Sequence, residues 1–265
     1  MAENNPRLRS TKAEALQAVD TFAAQMTNSP WKLKRDAVAD RLRDIVNDPT
    51  LVQQGNINCC GPAAFFTLWA ERDPLAMAQH VIALYNTAEA PLGPHTVKPD
   101  SDLLNGDYNT IFPKPADAPP QADWMFLSTL RGWENDLWDF EGTPDEDFSG
   151  ITLPFELVRW LKATGVYEKI EKDTSIFGRM PVSHALNLPD VGTHDIILLI
   201  TVKLLGSQPE RSHGLIPDHY IRLRSKIVQN GLIRFDYWSW GANDSQTVDV
   251  RTFENDYFGA IICKL

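Results

Sequence analysis

The sequence predicts an α+β fold, a helical N-terminal half packed on a C-terminal antiparallel β-sheet, from three observations. Apolar residues recur at helical spacing as far as Thr164, runs of period two are confined to the last third, and there is neither an internal repeat nor an alternation of strand with helix. The chain reads as a single domain over 1–265, with a helical lead over 1–50, a helical half over 51–190 that includes a loop at 88–121, and a sheet half over 191–265.

The elements follow in order. Leu16, Val19, Phe22, Ala23 and Met26 predict a helix over Lys12 to Met26, and Leu33, Ala37, Leu42 and Ile45 a second over Pro30 to Val46. Pro62 opens a third helix after Cys60, running under Phe65, Phe66, Leu68 and Trp69, because a proline in the first turn lacks only an N–H that would be unsatisfied anyway. Pro74 to Thr87 repeats that arrangement. Residues 88–121 are rich in Pro, Asp, Gly and Asn and predict a long surface flap. Helices are expected again over Asp123 to Trp138 and Pro154 to Thr164, the second closed by Gly165, with an acidic loop over Glu141 to Gly150 between them. Strands are then expected over Asp195 to Leu204, Asp218 to Arg224, Leu232 to Trp238, Thr247 to Arg251 and Phe258 to Leu265.

Composition excludes several classes of function. A chain of 265 residues with 43% hydrophobic content can bury a sizeable core, and its net charge of −10 offers no basic stripe to replace phosphate counterions, so nucleic acid is not an expected ligand. The longest apolar run, Ile196 to Ile200 continuing through Thr201 and Val202, is too short to span a bilayer, so no stable membrane insertion is expected. The start, MAENNPRLRSTKAEALQ, has no apolar signal region, and Cys59, Cys60 and Cys263 make no disulfide framework, so synthesis in a reducing cytoplasm is expected. No metal-ligand spacing and no cofactor motif occurs, and His213 with His219 is a weak coincidence.

The chemistry points to the segment QGNINCCGPAAFF over 54–66. A cysteine at a helix N-terminus meets unsatisfied N–H groups and the positive end of the dipole, both of which favour thiolate over thiol. Cys60 is therefore a candidate nucleophile, with a buried structural thiol as the alternative use. Gln54, six residues earlier, is placed to give a side-chain N–H to the oxyanion formed when a thiolate attacks a carbonyl.

A nucleophilic cysteine needs a base. Among His80, His95, His184, His194, His213 and His219, only His219 sits in a strand-like run, and period two puts it on the face of Ile221 and Leu223, expected to pack against the helical half. The next strand carries Asp236, an acid among aromatic residues whose expected partner is the His219 ring. A two-residue turn at Asn230-Gly231 would leave Asp236 too far along the strand, whereas a wider loop over Lys226 to Gly231 would set it opposite Tyr220. Ser239, Asn243 and Asp244 are the reserve candidates. Trp124, Trp133, Trp138, Trp160, Trp238 and Trp240 can line a groove or fill the core.

QGNINCCGPA resembles the nucleophile signature of papain-like cysteine peptidases, most closely the bacteriocin-processing type of exporter peptidase, and DHYIRL over 218–223 resembles that family's histidine strand. By this resemblance the fold is papain-like, Cys60 is the nucleophile, Gln54 the oxyanion residue, His219 the base and Asp236 its orienter. Two departures stand out. Cys59 occupies a place where the exporter peptidases tend to carry Asp, and in YWSWG over 237–241, which resembles the Asn-Ser-Trp-Gly of papain, Trp238 stands at the Asn position.

The chain lacks the exporter's membrane and ATPase parts. Stand-alone domains of this kind resemble bacterial effector toxins delivered by contact-dependent or type VI secretion machines, which implies a cognate immunity protein and a protein substrate in a recipient cytoplasm. The same site also suits a glutamine deamidase, a transglutaminase-type enzyme or a peptidoglycan amidase, and the same fold suits a non-catalytic protein-binding module.

Overall fold

The computed structural model describes residues 8–114, 116, 118–133, 152–206 and 216–265. They form two compact units, Met1–Thr152 with Ala163–Val166, and Leu153–Lys162 with Tyr167–Leu265. The division falls between 152 and 167 rather than at 190, because the chain from Tyr167 already supplies an edge strand to the sheet.

The first unit begins with α1 (Lys12–Ala23), opened by a capping box in which Thr11 and Glu14 satisfy each other's backbone N–H groups. It ends before Met26, which is almost fully exposed. Helix α2 (Arg35–Asn47) starts five residues later than the pattern predicts. Leu33, the first apolar residue of that pattern, and its neighbour Trp31 are buried from an irregular segment, where Trp31 Nε1 donates to Leu84 O at 2.9 Å. A 3₁₀ turn (Pro49–Leu51) capped by Asp48 leads to α3 (Cys60–Arg72), and α4 (Pro74–Thr87) is capped by Asp73, whose carboxylate accepts from Ala76 N.

The expected flap is instead a folded segment. It contains the hairpin β1 (Ala90–Leu92) and β2 (His95–Val97) and two short helices, α5 (Ser101–Asn105) and α6 (Tyr108–Ile111). Ala90, Leu92, Val97, Leu103 and Phe112 are buried, and the His80 Nδ1–H of α4 donates to Pro91 O at 2.8 Å. Polar composition concealed these five anchors, each set singly between loop residues. Helix α7 (Gln121–Trp133) completes the unit; Trp138, the helix end expected there, the acidic stretch Glu141 to Gly150 and His213 lie outside the described residues.

In the second unit α8 (Pro154–Thr164) has the predicted bounds, with residues through Lys162 belonging to this unit. It is followed by β3 (Lys169–Thr174), α9 (Val182–Leu186), β4 (His194–Ile200), a 3₁₀ turn (Val202–Leu205), β5 (His219–Leu223), β6 (Val228–Asn230), β7 (Leu232–Ser239), β8 (Ala242–Val248), α10 (Val250–Asp256) and β9 (Tyr257–Lys264). The sheet is antiparallel, ordered β3-β9-β4-β5-β7, and β7 also pairs with β6 and with β8. The architecture is thus α+β.

Two boundaries differ from expectation. The strand expected to reach Leu204 turns into 3₁₀ geometry after Ile200, and the one expected over Thr247 to Arg251 is cut at Val248 because Asp249 caps α10, accepting from Thr252 N at 2.9 Å. The face of Ile221 and Leu223 is covered from within this unit: both cluster with Leu198, Phe235, Leu204, Leu205 and Phe253. Among the described residues no helix is long and apolar enough to cross a membrane.

Candidate functional site

Cys60 and Gln54 belong to the first unit, and His219, Asp236 and Ser239 to the second. Cys60 is the first residue of α3 and the only one of the three cysteines that is not buried. The helix behind it is apolar on every side, and Gly61 through Ala70 are all buried, so its N-terminus has little freedom to move. Cys59 is the N-cap, gives no side-chain cap and is fully buried, which separates the two thiols by access. Gly61 fixes the turn by close approach, since a Cβ there would stand 2.5 Å from both Cβ and Oγ1 of Thr152.

The loop before Cys60 is tied to the unit's interior. Gln54 is 7% exposed, Ile57 N donates to Gln54 O at 3.3 Å, and Cys59 N donates to Ile57 O at 2.9 Å. Gly55 takes a φ of +56°, which suits glycine, and packs against Ala118 and Pro119. Backbone atoms of residues 51, 53 and 55 make the anchoring hydrogen bonds of this loop, with the Gln53 side chain as acceptor for Gly55 N at 3.1 Å. The Gln54 side-chain amide takes no part in that anchoring.

In the second unit His219 opens β5 and is 4% exposed. Its Nε2 is hydrogen-bonded to Ser239 Oγ at 2.7 Å, so Nδ1 is the nitrogen left for another partner. The ring stacks on Trp240 with centroids 4.2 Å apart and planes 18° from parallel. Trp240 and Gly241 form the two-residue turn between Ser239 and Ala242, with φ of 47° and 76°, the positive pair that a type I′ hairpin requires. A tryptophan in left-handed geometry is strained, and the stack on His219 offsets that cost. Burial pushes the His219 imidazole down to about 3, with no charged group among the described residues opposing the shift, so the ring is neutral at pH 7.

Asp236 is not the residue that holds His219. Arg222 lies opposite Trp238 and Leu223 opposite Tyr237, which sets Asp236 beside Arg224, whose N–H donates to Asp236 O at 2.8 Å. The Asp236 side chain is exposed on the outer face of β7, and its N–H receives support from Ser225 Oγ at 2.9 Å. The cause is the β6–β7 hairpin, which turns tightly at Gly231 with Asn230 opposite Leu232. Of the reserve candidates, Ser239 is the partner. Asn243 is exposed opposite Trp238, and Asp244 accepts from Tyr237 OH at 3.4 Å, where burial and that carboxylate push the phenol up to about 12.

The other described histidines serve elsewhere. His80 is buried and desolvation pushes it down to about 4; His95 lies 5.5 Å from the Trp133 ring; His194 Nδ1 meets Thr193 Oγ1 at 2.9 Å. His184 is in α9 and bridges Tyr257 OH at 2.7 Å and Asp173 Oδ2 at 2.9 Å. Trp124, Trp160 and Trp238 are core residues. Among the described residues no group of three His, Cys, Asp or Glu side chains is set to hold a metal ion.

One feature next to the candidate site escaped sequence reasoning: the fully buried Asp123 carboxylate, which accepts from Gln53 N and is bound by Arg41. Its signal was an acid inside the apolar run Ala122-Asp123-Trp124-Met125-Phe126, which requires a charged partner. No family model matches the chain, and neither does any curated protein or any solved structure.

Proposed function

We propose that the chain is a papain-like cysteine hydrolase, a peptidase acting on a protein target in a recipient bacterial cytoplasm and held in check in the producer by an immunity protein. The observation that carries this reading is the half-buried Cys60 at the first position of a helix buried from Gly61 through Ala70, preceded by an anchored glutamine loop. A neutral, strand-borne imidazole positioned by Ser239 and stacked on Trp240 supports it from the other half of the chain.

In this reading the Cys60 proton passes to His219 Nδ1, and the sulfur forms a bond to the carbonyl carbon while the π pair moves to oxygen, facing the Gln54 amide. Collapse of that adduct breaks the C–N bond; the imidazolium gives its proton to the departing amine and leaves a thioester. Water then adds to the thioester with His219 as base, releasing acid and restoring the thiol. The proposed transfer requires a thiolate–imidazolium pair, which would favour the charged ring and offset the depression that burial imposes.

Expression in a bacterial cytoplasm tests the reading. Wild-type chain should arrest growth and generate new protein N-termini, and Cys60→Ala should do neither while keeping its thermal midpoint. Glutamine converted to glutamate would indicate a deamidase, released muropeptides an amidase, and equal toxicity of Cys60→Ala would refute cysteine chemistry. One observation favours a second reading: His219 has Ser239 rather than a carboxylate as its partner, as expected of a non-catalytic binding module with an inert thiol. Slow alkylation of Cys60 throughout the neutral range would select that module.

A further inference from the structure

We infer that the ion pair of half-buried Arg41 with fully buried Asp123 is a positioning device for the Gln54 amide; the inference rests on the oxyanion role proposed for Gln54. Asp123 is fully buried on α7, and Arg41 reaches it from α2, with Nε to Oδ2 at 2.6 Å and Nη2 to Oδ1 at 3.0 Å. Both ions also hold the loop backbone. Arg41 Nη2 donates to Leu51 O, and Asp123 Oδ1 accepts from Gln53 N at 2.7 Å. The two grips flank Val52 and end at the residue before Gln54. Beyond Gln54, the Gln53 side chain takes the Gly55 N–H and Pro119 packs against Gly55, so the backbone on either side of the glutamine is fixed while its side chain is not used in the fixing.

A buried ion pair is weak evidence for stability, since apolar residues of similar volume serve as well; its better-attested use is to specify one arrangement. Here the arrangement specified is the path of residues 51–55. Oxyanion stabilisation depends on donor placement: loss of one donor costs on the order of a hundredfold or more, and an ångström of misplacement up to about a hundredfold. Arg41 and Asp123 touch neither Cys60 nor a substrate and act only through Gln54.

Two probes separate this role from a merely structural one. Iodoacetamide alkylates Cys60 by displacing iodide at carbon and forms no oxyanion. N-acetylglycinal adds reversibly, with a new C–S bond and the carbonyl π pair moved to oxygen, so its affinity reports the oxyanion donor. The full-length double variant Arg41→Met with Asp123→Leu leaves no unpaired buried charge. In it, iodoacetamide labelling of Cys60 should stay within about twofold of wild type, and the N-acetylglycinal concentration that half-protects Cys60 should rise about tenfold, as it should in Gln54→Ala. Arg41→Lys, which keeps the charge but cannot serve both carboxylate oxygens and Leu51 O together, should raise it about threefold and guards against misfolding of the double variant. Wild-type protection in both pair variants, with Gln54→Ala weakened, would overturn the positioning role alone. Wild-type protection in Gln54→Ala, or no protection of the wild-type thiol, would overturn the oxyanion reading and the positioning role together.

Discussion

Replacing Ser239 by alanine isolates the contact that holds the His219 ring. The Oγ to Nε2 bond is 2.7 Å long, and both residues are buried, so the variant leaves a buried ring nitrogen without its partner and admits little water in exchange. Such an orphaned polar group costs about 1–3 kcal/mol. At roughly 3 °C per kcal/mol for a domain of this size, the thermal midpoint should fall by about 3–9 °C. The ring should also lose its fixed orientation, and loss of the group that orients a functional histidine typically reduces activity about 10–100-fold. Asp236→Ala is the control, since an exposed side chain away from special contacts changes stability by about 0.5 kcal/mol or less. Differential scanning calorimetry and the rate of Cys60 alkylation at neutral pH read both effects. The reasoning fails if Asp236→Ala slows alkylation as Ser239→Ala does, or if Ser239→Ala is silent in both assays.

Acid should destabilise each unit through its own buried imidazole. His80 in the first unit and His219 in the second are held at about 4 and about 3, against 6.5 when exposed, so the unfolded chain takes up the proton first. Stability is complete above pH 6.5 and falls with pH below it, by about 2 kcal/mol per imidazole between pH 6.5 and 5 at ~1.4 kcal/mol per unit; urea unfolding at pH 7.5 and 5 should show this, and a flat profile would contradict it. Gly61→Ala should cost about 1–3 kcal/mol by overpacking against Thr152, with partial recovery in the double variant that adds Thr152→Gly; an unchanged unfolding midpoint in the single variant would refute the close approach.

The elements that the sequence made legible carry their own stop and start signals. Pro74 to Thr87 and Pro154 to Thr164 have the predicted bounds, each opened by a proline in its first turn and carrying an apolar face. The start of α2 was obscured because Leu33 keeps helical spacing with Ala37 while packing from an irregular segment. Strands β3 and β6 were missed for the opposite reason: Lys169, Glu171, Lys172 and Asp173 make a charged edge, and Val228-Gln229-Asn230 is exposed throughout, so neither run alternates. At the candidate site, Cys60 could be read from the Gly-Pro that follows it and His219 from the strand around it. The identity of its partner could not, because that depends on the register that the β6–β7 turn imposes on β7, a tertiary outcome. Asp236 failed as the orienter on register alone.

The account stands on Cys60 and His219 titrating as one unit. Histidine NMR titration of the wild-type chain and of Cys60→Ala measures this, since the proposed proton transfer requires a thiolate that would raise the imidazole and whose removal would lower it again. Cooperative titration predicts a His219 midpoint about one unit or more higher in the wild type than in Cys60→Ala. Superimposable titration curves in the two proteins would contradict it.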